Sequence, residues 1–254
     1  RSLGSMNILL TDGDNRATLA LTRALGRQHR VVVGATRQRS LASVSRYCHA
    51  GFVYPDPAHD ETGFIAALEQ AVRRFGIDTV VPATDITTFT LARNRDRFEP
   101  ACRLPIPPLT ALEQAADKAH VVQLATTLGV PAPRTQLVPH RDSLPSLTDV
   151  AFPLVVKPSR SRIRVGQRWI ATSVSYAFDE NELKRGLAEL PDAAFPVLLQ
   201  ERIAGDGMGV FACYDRGRCI ALFSHRRVRE KPPSGGVSVL RESVPLDPLA
   251  ARYA

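Results

Sequence analysis

The fold is decided by a short apolar run, Asn7-Ile-Leu-Leu-Thr11, which ends in the polar turn Asp12-Gly-Asp-Asn15. Leucines at helical spacing follow, and a second apolar run occupies residues 31–34. The pattern then predicts a weak third strand over residues 52–54, a helix over residues 64–75 and a further buried strand over residues 78–81. Short apolar strands that alternate with helices are typical of a parallel sheet covered by helices on both faces.

Polar side chains follow the first and the last of these strands. Asp12 comes after the first strand, and Thr84 and Asp85 come after Pro82, which stops the last one. Ligands of parallel sheets bind at the carboxyl ends of the strands, so we expect Asp12, Thr84 and Asp85 to line a substrate cleft. Either aspartate could instead only cap the helix that follows it. The turn after the first strand has one glycine, which argues against a dinucleotide-binding GxGxxG loop.

A proline-rich segment, Leu104-Pro-Ile-Pro-Pro108, is typical of a stiff linker. We therefore divide the chain into an open parallel-sheet α/β domain, residues 6–108, and a second domain, residues 109–254.

Helix and strand signals change in the second domain. Thr110 and Glu113 have capping-box spacing, and Asp117 is predicted to cap the next helix. From Phe152 onwards, short apolar runs predict strands, interrupted by a helix over residues 179–190. The second domain is therefore expected to be α+β, with antiparallel hairpins.

Composition excludes several classes of protein. No apolar stretch approaches the roughly 18 residues of a membrane span, and no secretory leader opens the chain, so we expect a cytoplasmic protein without a membrane partner. The net charge of +8 comes mostly from scattered arginines without a nucleic-acid-binding signature, so we expect an anionic small molecule and no nucleic acid. The four cysteines form no CxxC pair and are expected to be reduced, half-buried thiols.

Three features of the second domain carry chemistry-bearing side chains. They are Asp117-Lys118 with Gly129-Val-Pro-Ala-Pro133 after it, Phe152-Pro-Leu-Val-Val-Lys157, and Val197-Leu-Leu-Gln-Glu201-Arg-Ile203. A lysine at the end of an apolar strand is costly to bury without an anion beside it, although Lys157 could also extend to water. Glu201 has two possible roles in the same way, since it could bind a ligand or only pair with Arg202.

In this order, the three features resemble the ATP-grasp family of ATP-dependent carboxylate–amine ligases, and its carbamoyl-phosphate-synthase-like branch in particular. The resemblance covers nearly all of residues 7–248. It implies that the open α/β domain precedes an ATP-grasp domain, whose lid occupies residues 150–205 and whose C-terminal subdomain begins in residues 206–254.

The resemblance also implies how ATP is held. Lys118 and Lys157 would reach the phosphates, the hinge around Glu201 would meet adenine, and Asp206 would meet the ribose hydroxyls. The residues expected to bind ATP are Lys118, Lys157, Ser159, Arg160, Gln200, Glu201, Arg202, Ile203 and Asp206.

The segment after Lys157 departs from the family. That segment is usually rich in glycine and serine, so that backbone N–H groups can wrap the phosphates. Here it reads Ser159-Arg-Ser-Arg-Ile-Arg-Val-Gly166, with one glycine. Guanidinium groups such as that of Arg160 could replace the backbone donors, or the loop could be mobile and solvated without touching nucleotide.

A second departure concerns the metal. The family holds Mg²⁺ with a Glu…Glu-x-Asn pattern on late strands, whereas Glu242 and Asp247 are the only acids after Glu230. We therefore expect no metal ligand within this chain and place the Mg²⁺ ligands beyond residue 254, with the chain a piece cut inside a helix that begins at Pro248. Such a piece is expected to be inactive.

Basic and glycine residues lie between these points. Arg226 and Arg227 are expected to follow a strand and to stabilise the transferring phosphoryl group, while Gly235 and Gly236 would line the acceptor side of the cleft. A solvated basic hairpin end is the alternative.

The resemblance thus implies a ligase that forms an acylphosphate from a small-molecule carboxylate and ATP, which an amine or other nucleophile then attacks. Two rivals are a nucleotide-binding regulatory module without chemistry and a basic nucleic-acid-binding protein. The protein could form a homodimer.

Overall fold

The structure is a computed structural model that describes residues 4–147, 151–166, 168–231 and 237–254. The first domain alternates strands and helices, as predicted. Its elements are β1 (Asn7–Leu10), α1 (Arg16–Leu25), β2 (Arg30–Ala35), β3 (Ala50–Val53), α2 (Glu61–Phe75), β4 (Thr79–Val81) and α3 (Asp85–Arg93).

The four strands form one parallel sheet in the order β3-β2-β1-β4. Because side chains alternate along a strand, neighbouring residues of β1 serve two different cores. Leu9 packs with Phe64 of α2 on one face, and Leu10 packs with Val31 on the other. Helices on both faces therefore leave the carboxyl edge of the sheet as the open side, which confirms the predicted fold class.

The second domain begins with two helices and then forms an antiparallel sheet in the order β5-β10-β6-β9, covered by a helix. Leu183 and Leu187 of that helix pack on Leu154 and Val197. The elements are α4 (Leu109–Ala116), α5 (Lys118–Thr127), β5 (Thr135–Val138), β6 (Leu154–Pro158), β7 (Arg162–Val165), β8 (Arg168–Ala171), β9 (Ser175–Ala177), α6 (Glu180–Glu189) and β10 (Val197–Glu201).

The remaining elements form a second antiparallel sheet with a short terminal helix. The strands pair in chain order, and Phe211 stacks on Phe223 across the first pair, with ring centroids 6.3 Å apart. These elements are β11 (Met208–Asp215), β12 (Arg218–Lys231), β13 (Val237–Ser243) and α7 (Pro248–Tyr253). No helix in the described ranges is long and apolar enough to cross a bilayer.

Helix caps test the sequence signals directly. Asp117 accepts hydrogen bonds from the amides of Ala119 and His120, so the predicted cap is confirmed. Asp179 caps α6 in the same way by accepting a hydrogen bond from the Glu182 amide. The capping box predicted from Thr110 and Glu113 is wrong. Helix α4 begins at Leu109, so Thr110 already lies inside its first turn and no side chain caps this end.

Two further predictions need correction. Cys213 and Cys219 lie on the paired strands β11 and β12, but both thiols are exposed rather than half-buried. The alternative of a solvated loop after Lys157 is also wrong, because residues 162–165 and 168–171 form the β7–β8 hairpin.

Candidate functional site

Lys118 lies where α5 meets the end of β6. Its backbone N–H donates to the Ser159 carbonyl at 2.8 Å. Its ammonium nitrogen lies 3.0 Å from Ser161 Oγ and 3.4 Å from the carbonyl oxygens of Pro158 and Ser159. The start of α5 is thereby fixed to the segment that follows Lys157, so both lysines belong to one structural unit.

Lys157 lies on β6, and its side chain points away from the hydrophobic core. Leu154 and Val156 are buried in the core of the antiparallel sheet, and Lys157 alternates with them and therefore points to the opposite face. Its side chain is half-buried, and this burial lowers its pKa. Within the described ranges its ammonium group has no hydrogen-bond or ion-pair partner. A partly dehydrated cation without a partner is the state that a bound anion would stabilise.

The positive charge of Lys157 affects the pKa of Lys118. Burial lowers the pKa of Lys118, and repulsion from the Lys157 ammonium lowers it further. The carboxylates of Asp117 and Asp85 act in the opposite direction. Lys157 and Asp85 therefore both lie within electrostatic reach of Lys118, which brings the start of α3 in the first domain near this lysine of the second.

The segment after Lys157 contributes differently from the backbone cradle of the resembled family. The backbone N–H of Ser159 donates to the Pro196 carbonyl at 2.9 Å, so it is not free for a phosphate. The guanidinium of Arg160 lies 3.8 Å from the Asp117 carboxylate, near the start of α5. The Arg160 side chain is thus a donor that this segment presents beside the start of α5, whereas the Ser159 amide is already engaged.

The β7–β8 hairpin reaches the first domain. Trp169 packs on Phe89 of α3, with ring centroids 6.2 Å apart, and the Arg93 guanidinium lies 5.5 Å from the centroid of the Trp169 ring. The sequence analysis missed Trp169. Its signal is that the single tryptophan of the chain lies in a segment that is otherwise basic.

The end of β10, where the hinge is predicted, is fixed by hydrogen bonds to Arg134 and Thr135. The Glu201 carboxylate accepts hydrogen bonds from the backbone N–H and the Nε of Arg134, at 2.8 and 3.0 Å. These bonds lower the pKa of Glu201. The partner of Glu201 is therefore Arg134 and not its neighbour Arg202. Gln200 donates to Thr135 Oγ1 at 2.9 Å, so both side chains hold β10 to β5.

Three other predicted nucleotide contacts follow this strand. Arg202 and Asp206 are exposed, and 65% of Ile203 is accessible to solvent. The side chains of Glu201 and Gln200 are already hydrogen-bonded to Arg134 and Thr135. A flat apolar ring could therefore contact the backbone of this segment and the Ile203 side chain.

At the sheet edge, Asp12 ties β1 to β4. Its carboxylate accepts hydrogen bonds from Thr11 Oγ1 at 2.6 Å, Thr87 Oγ1 at 2.7 Å, the Ala83 amide at 3.1 Å and Thr84 Oγ1 at 3.3 Å. Asp12 holds a left-handed backbone conformation, with φ of 59°, which costs free energy in a residue with a Cβ.

Neither aspartate at the sheet edge is a helix cap. Asn15 caps α1, and Thr84 caps α3. The alternative in which Asp12 or Asp85 caps its helix is therefore wrong.

The edge also forms a cavity of about 380 Å³. Asp12 and Thr84 line it, together with Tyr54 from the end of β3 and Arg162 from the β7–β8 hairpin. The sequence analysis missed Tyr54, although it follows a strand of the same sheet and so ends at the same edge.

Arg226 and Arg227 lie inside β12, so the prediction that they follow a strand is wrong. Arg226 pairs with Glu242 of β13 at 2.5 Å, and Arg227 pairs with Glu230 at 3.1 Å. Successive residues of a strand face opposite sides, so only one of these arginines can face a given cleft. Gly235 and Gly236, predicted at the acceptor side, lie outside the described residues.

No family model matches the chain, and no curated protein matches its sequence. Solved structures do match. An L-amino acid ligase from Bacillus licheniformis is 16% identical with a TM-score of 0.65, over 91% of this chain and 53% of that one. The ADP complex of purK, N5-carboxyaminoimidazole ribonucleotide synthetase, is 14% identical with a TM-score of 0.67, over 99% of this chain and 62% of that one.

A third structure, D-alanine–D-alanine ligase from Bacillus anthracis complexed with ATP, is 14% identical with a TM-score of 0.55, over 96% of this chain and 72% of that one. At such identities the likeness shows the fold alone: an α/β domain followed by antiparallel sheets in the ATP-grasp arrangement. This chain has the ATP-grasp fold. It spans 53% and 62% of the first two structures.

Proposed function

We propose that this chain binds ATP between its two lysines and its hinge, and that the whole protein is an ATP-dependent carboxylate–amine ligase. One observation carries the proposal. Two ammonium groups, 39 residues apart in sequence, lie close enough for the charge of Lys157 to lower the pKa of Lys118. In the described part of the chain Lys157 has no partner of its own. A polyphosphate placed between them supplies the missing negative charge.

Each part of the site has a role in this proposal. Lys118 and Lys157 neutralise phosphate oxygens, and the hinge at Glu201–Ile203 holds adenine through its backbone. Asp206 meets the ribose, and Ser159 and Arg160 add donors beside the phosphates. Phosphoryl transfer needs mainly positioning and charge neutralisation, which are the contributions that such residues make.

The proposed reaction has two steps. A carboxylate oxygen attacks the γ-phosphorus of ATP, ADP leaves, and an acylphosphate forms. An amine or another nucleophile then attacks the acyl carbon, phosphate leaves, and the nucleophile loses a proton. Arg226 or Arg227 would stabilise the transferring phosphoryl group after releasing its present carboxylate partner. The names of the similar structures, ligases in two of the three cases above, support this kind of reaction.

Magnesium enters this proposal only as the ion that accompanies ATP. Among the described residues no group of three or more His, Cys, Asp or Glu side chains could hold a metal ion, so no step is derived through it. The inactivity of the 254-residue chain also stays a prediction, based on the lack of a Glu…Glu-x-Asn pattern in residues 231–254. Release of ADP by this chain would contradict it.

The proposed location of the protein is the cytoplasm, on the basis of its cysteines. Four free cysteines, two of them exposed, suit a reducing compartment such as the cytoplasm. Small-molecule carboxylates and amines are the proposed partners. The homodimer stays a prediction that sedimentation would test.

The proposal is tested by calorimetric titration of ATP into the protein and into variants Lys118→Met and Lys157→Met. A hydrogen bond to a charged group is worth about 1.5–3 kcal/mol, so each variant should raise the Kd for ATP by about 10- to 150-fold. The matched control is Lys184→Met, because Lys184 is an exposed lysine on α6 that pairs with Glu180. Equal ATP affinity in all four proteins would refute the site.

A regulatory module that binds nucleotide without chemistry is the remaining alternative, and it shares the ATP site. A phosphate-release assay with a panel of carboxylates and amines separates the two. ATP binding without release under any pair of substrates would favour the module.

A further inference from the structure

The cavity at the carboxyl edge of the parallel sheet carries charges of both signs. It has a volume of about 380 Å³ and is open to solvent, and residues at the ends of β1, β3 and β4 and in the β7–β8 hairpin line it. Asp12, Asp14 and Asp56 line it, and so does Arg162. A cavity with fixed positive and negative groups on its walls favours a ligand that carries both charges itself.

The negative groups are held in place by the first domain. Asp14 is paired with Arg37, which reaches it through Nε at 2.8 Å and NH2 at 2.5 Å and lowers its pKa. Asp56 accepts hydrogen bonds from the Ala58 amide at 2.9 Å and from His59 at 3.1 Å. Asp56 has no arginine or lysine partner within the described ranges, so its charge is less compensated than that of Asp14.

Arg162 is the cation of this cavity. It begins β7, and within the described residues its guanidinium has neither an ion pair nor a hydrogen bond. The preceding residue, Ser161, lies 3.0 Å from the ammonium nitrogen of Lys118. The positive wall of the cavity therefore adjoins the proposed phosphate site, and the acidic groups come from the sheet edge of the first domain.

Tyr54 adds an independent sign of a ligand. Only 2% of the residue is exposed, and its hydroxyl oxygen accepts the Asp12 N–H at 2.7 Å. No acceptor for the hydroxyl proton lies within the described part of the chain. Burial raises the pKa of Tyr54, with the neighbouring carboxylates adding to the effect, so the hydroxyl keeps its proton. A buried donor without an acceptor at a cavity wall is costly unless a ligand oxygen accepts its hydrogen bond.

We propose that this cavity binds the carboxylate substrate as a zwitterionic α-amino acid, with its carboxylate on Arg162 and Tyr54 and its ammonium group at Asp56. An α-amino acid fits because one carbon separates its two charges, so both kinds of protein group must line one small space. The volume accepts an amino acid with a side chain of ordinary size. The inference rests on the proposed function for the fate of the carboxylate, which Arg162 would hold on the side of the phosphates.

The test uses binding rather than turnover. Glycine, L-alanine, L-glutamate and L-phenylalanine are titrated into the protein, each alongside its deaminated acid and its amide. At least one amino acid should bind, and its deaminated acid and amide should bind at least tenfold more weakly. Arg162→Gln and Asp56→Asn should each weaken that amino acid by about tenfold or more, since each removes a charged hydrogen-bond partner. The matched control is Arg185→Gln, an exposed arginine on α6.

Each other outcome overturns the inference. An amide that binds as tightly as its amino acid would mean that the cavity takes cations, and a deaminated acid that binds as tightly would mean that it takes simple anions. Unchanged affinity in Arg162→Gln would remove the assigned carboxylate contact. ATP affinity of the unaltered protein is measured in parallel. ATP binding without amino-acid binding overturns this inference alone, whereas failure to bind ATP overturns the proposed function.

Discussion

Replacing Lys157 by methionine should stabilise the protein in the absence of nucleotide while it weakens ATP binding. The ammonium group of Lys157 is half-buried on β6 and has no partner in the described ranges, so the folded state loses hydration that nothing replaces. Methionine keeps a similar shape without the charge. Stabilising substitutions, including those that improve charge placement, commonly contribute about 0.5–2 kcal/mol, and the partial exposure of Lys157 favours the lower half of that range.

A gain of about 0.5–1 kcal/mol corresponds to a rise in Tm of about 1–4 °C for a protein of this size. The gain should depend on pH. Because the folded-state pKa of Lys157 is lowered, the unfolded chain binds more protons between that pKa and the ordinary value of 10.5. The wild-type protein therefore becomes more stable as pH rises through this window. The advantage of Lys157→Met is largest near neutral pH and disappears above about pH 10.5.

The assay is urea unfolding of both proteins at several pH values, with thermal scans as a second measure. Lys184→Met is the control with the opposite sign. It breaks an exposed pair with Glu180, four residues earlier on α6, and should cost about 0.3–0.5 kcal/mol. If Lys157→Met proved less stable than the wild type near pH 7, the ammonium group would be making a stabilising contact in the native protein. That result would refute its assignment as an anion-binding group without a partner in the free protein.

Three other changes probe different parts of the molecule. Asp12→Ala should destabilise the first domain by about 2–4 kcal/mol in urea unfolding, because it removes the acceptor that joins β1 to β4; a cost below about 0.5 kcal/mol would contradict that role. Arg134→Ala should raise the pKa of Glu201 towards its ordinary value of 4.5, read by carboxyl-carbon NMR titration, and an unmoved pKa would show that these bonds do not hold the carboxylate. Phe89→Ala should shift the emission of Trp169, the single tryptophan, to longer wavelength by exposing its ring, and an unchanged spectrum would mean that the hairpin does not pack on α3.

Much of the first domain could be predicted from its sequence because the signals are local. Buried parallel strands appear as uninterrupted apolar runs, and each is followed by its turn and helix. The carboxyl edge then follows from topology, and Asp12 and Thr84 lie together there, joined by a hydrogen bond. Residues 52–54 predict only a weak strand, because the run is short and weakly apolar, so Tyr54 was not predicted as a residue of the same edge.

The second domain shows where local patterns stop. The apolar run before Lys157 predicted β6. The partner of Glu201 is Arg134, 67 residues away, and only the register between β10 and β5 brings them together. Arg226 and Arg227 were expected to follow a strand, but β12 continues through both of them to Lys231. Five of the eight residues over 224–231 are charged, yet they continue β12, because cross-strand pairs such as Arg226 with Glu242 satisfy them.

The direct test of the account is a crystal structure of the protein with a non-hydrolysable ATP analogue. The account predicts a triphosphate whose oxygens lie within hydrogen-bonding distance of the ammonium nitrogens of both Lys118 and Lys157, with adenine against the hinge at Glu201–Ile203. Phosphates bound elsewhere, or one of these two ammonium groups turned into a separate pocket, would contradict it.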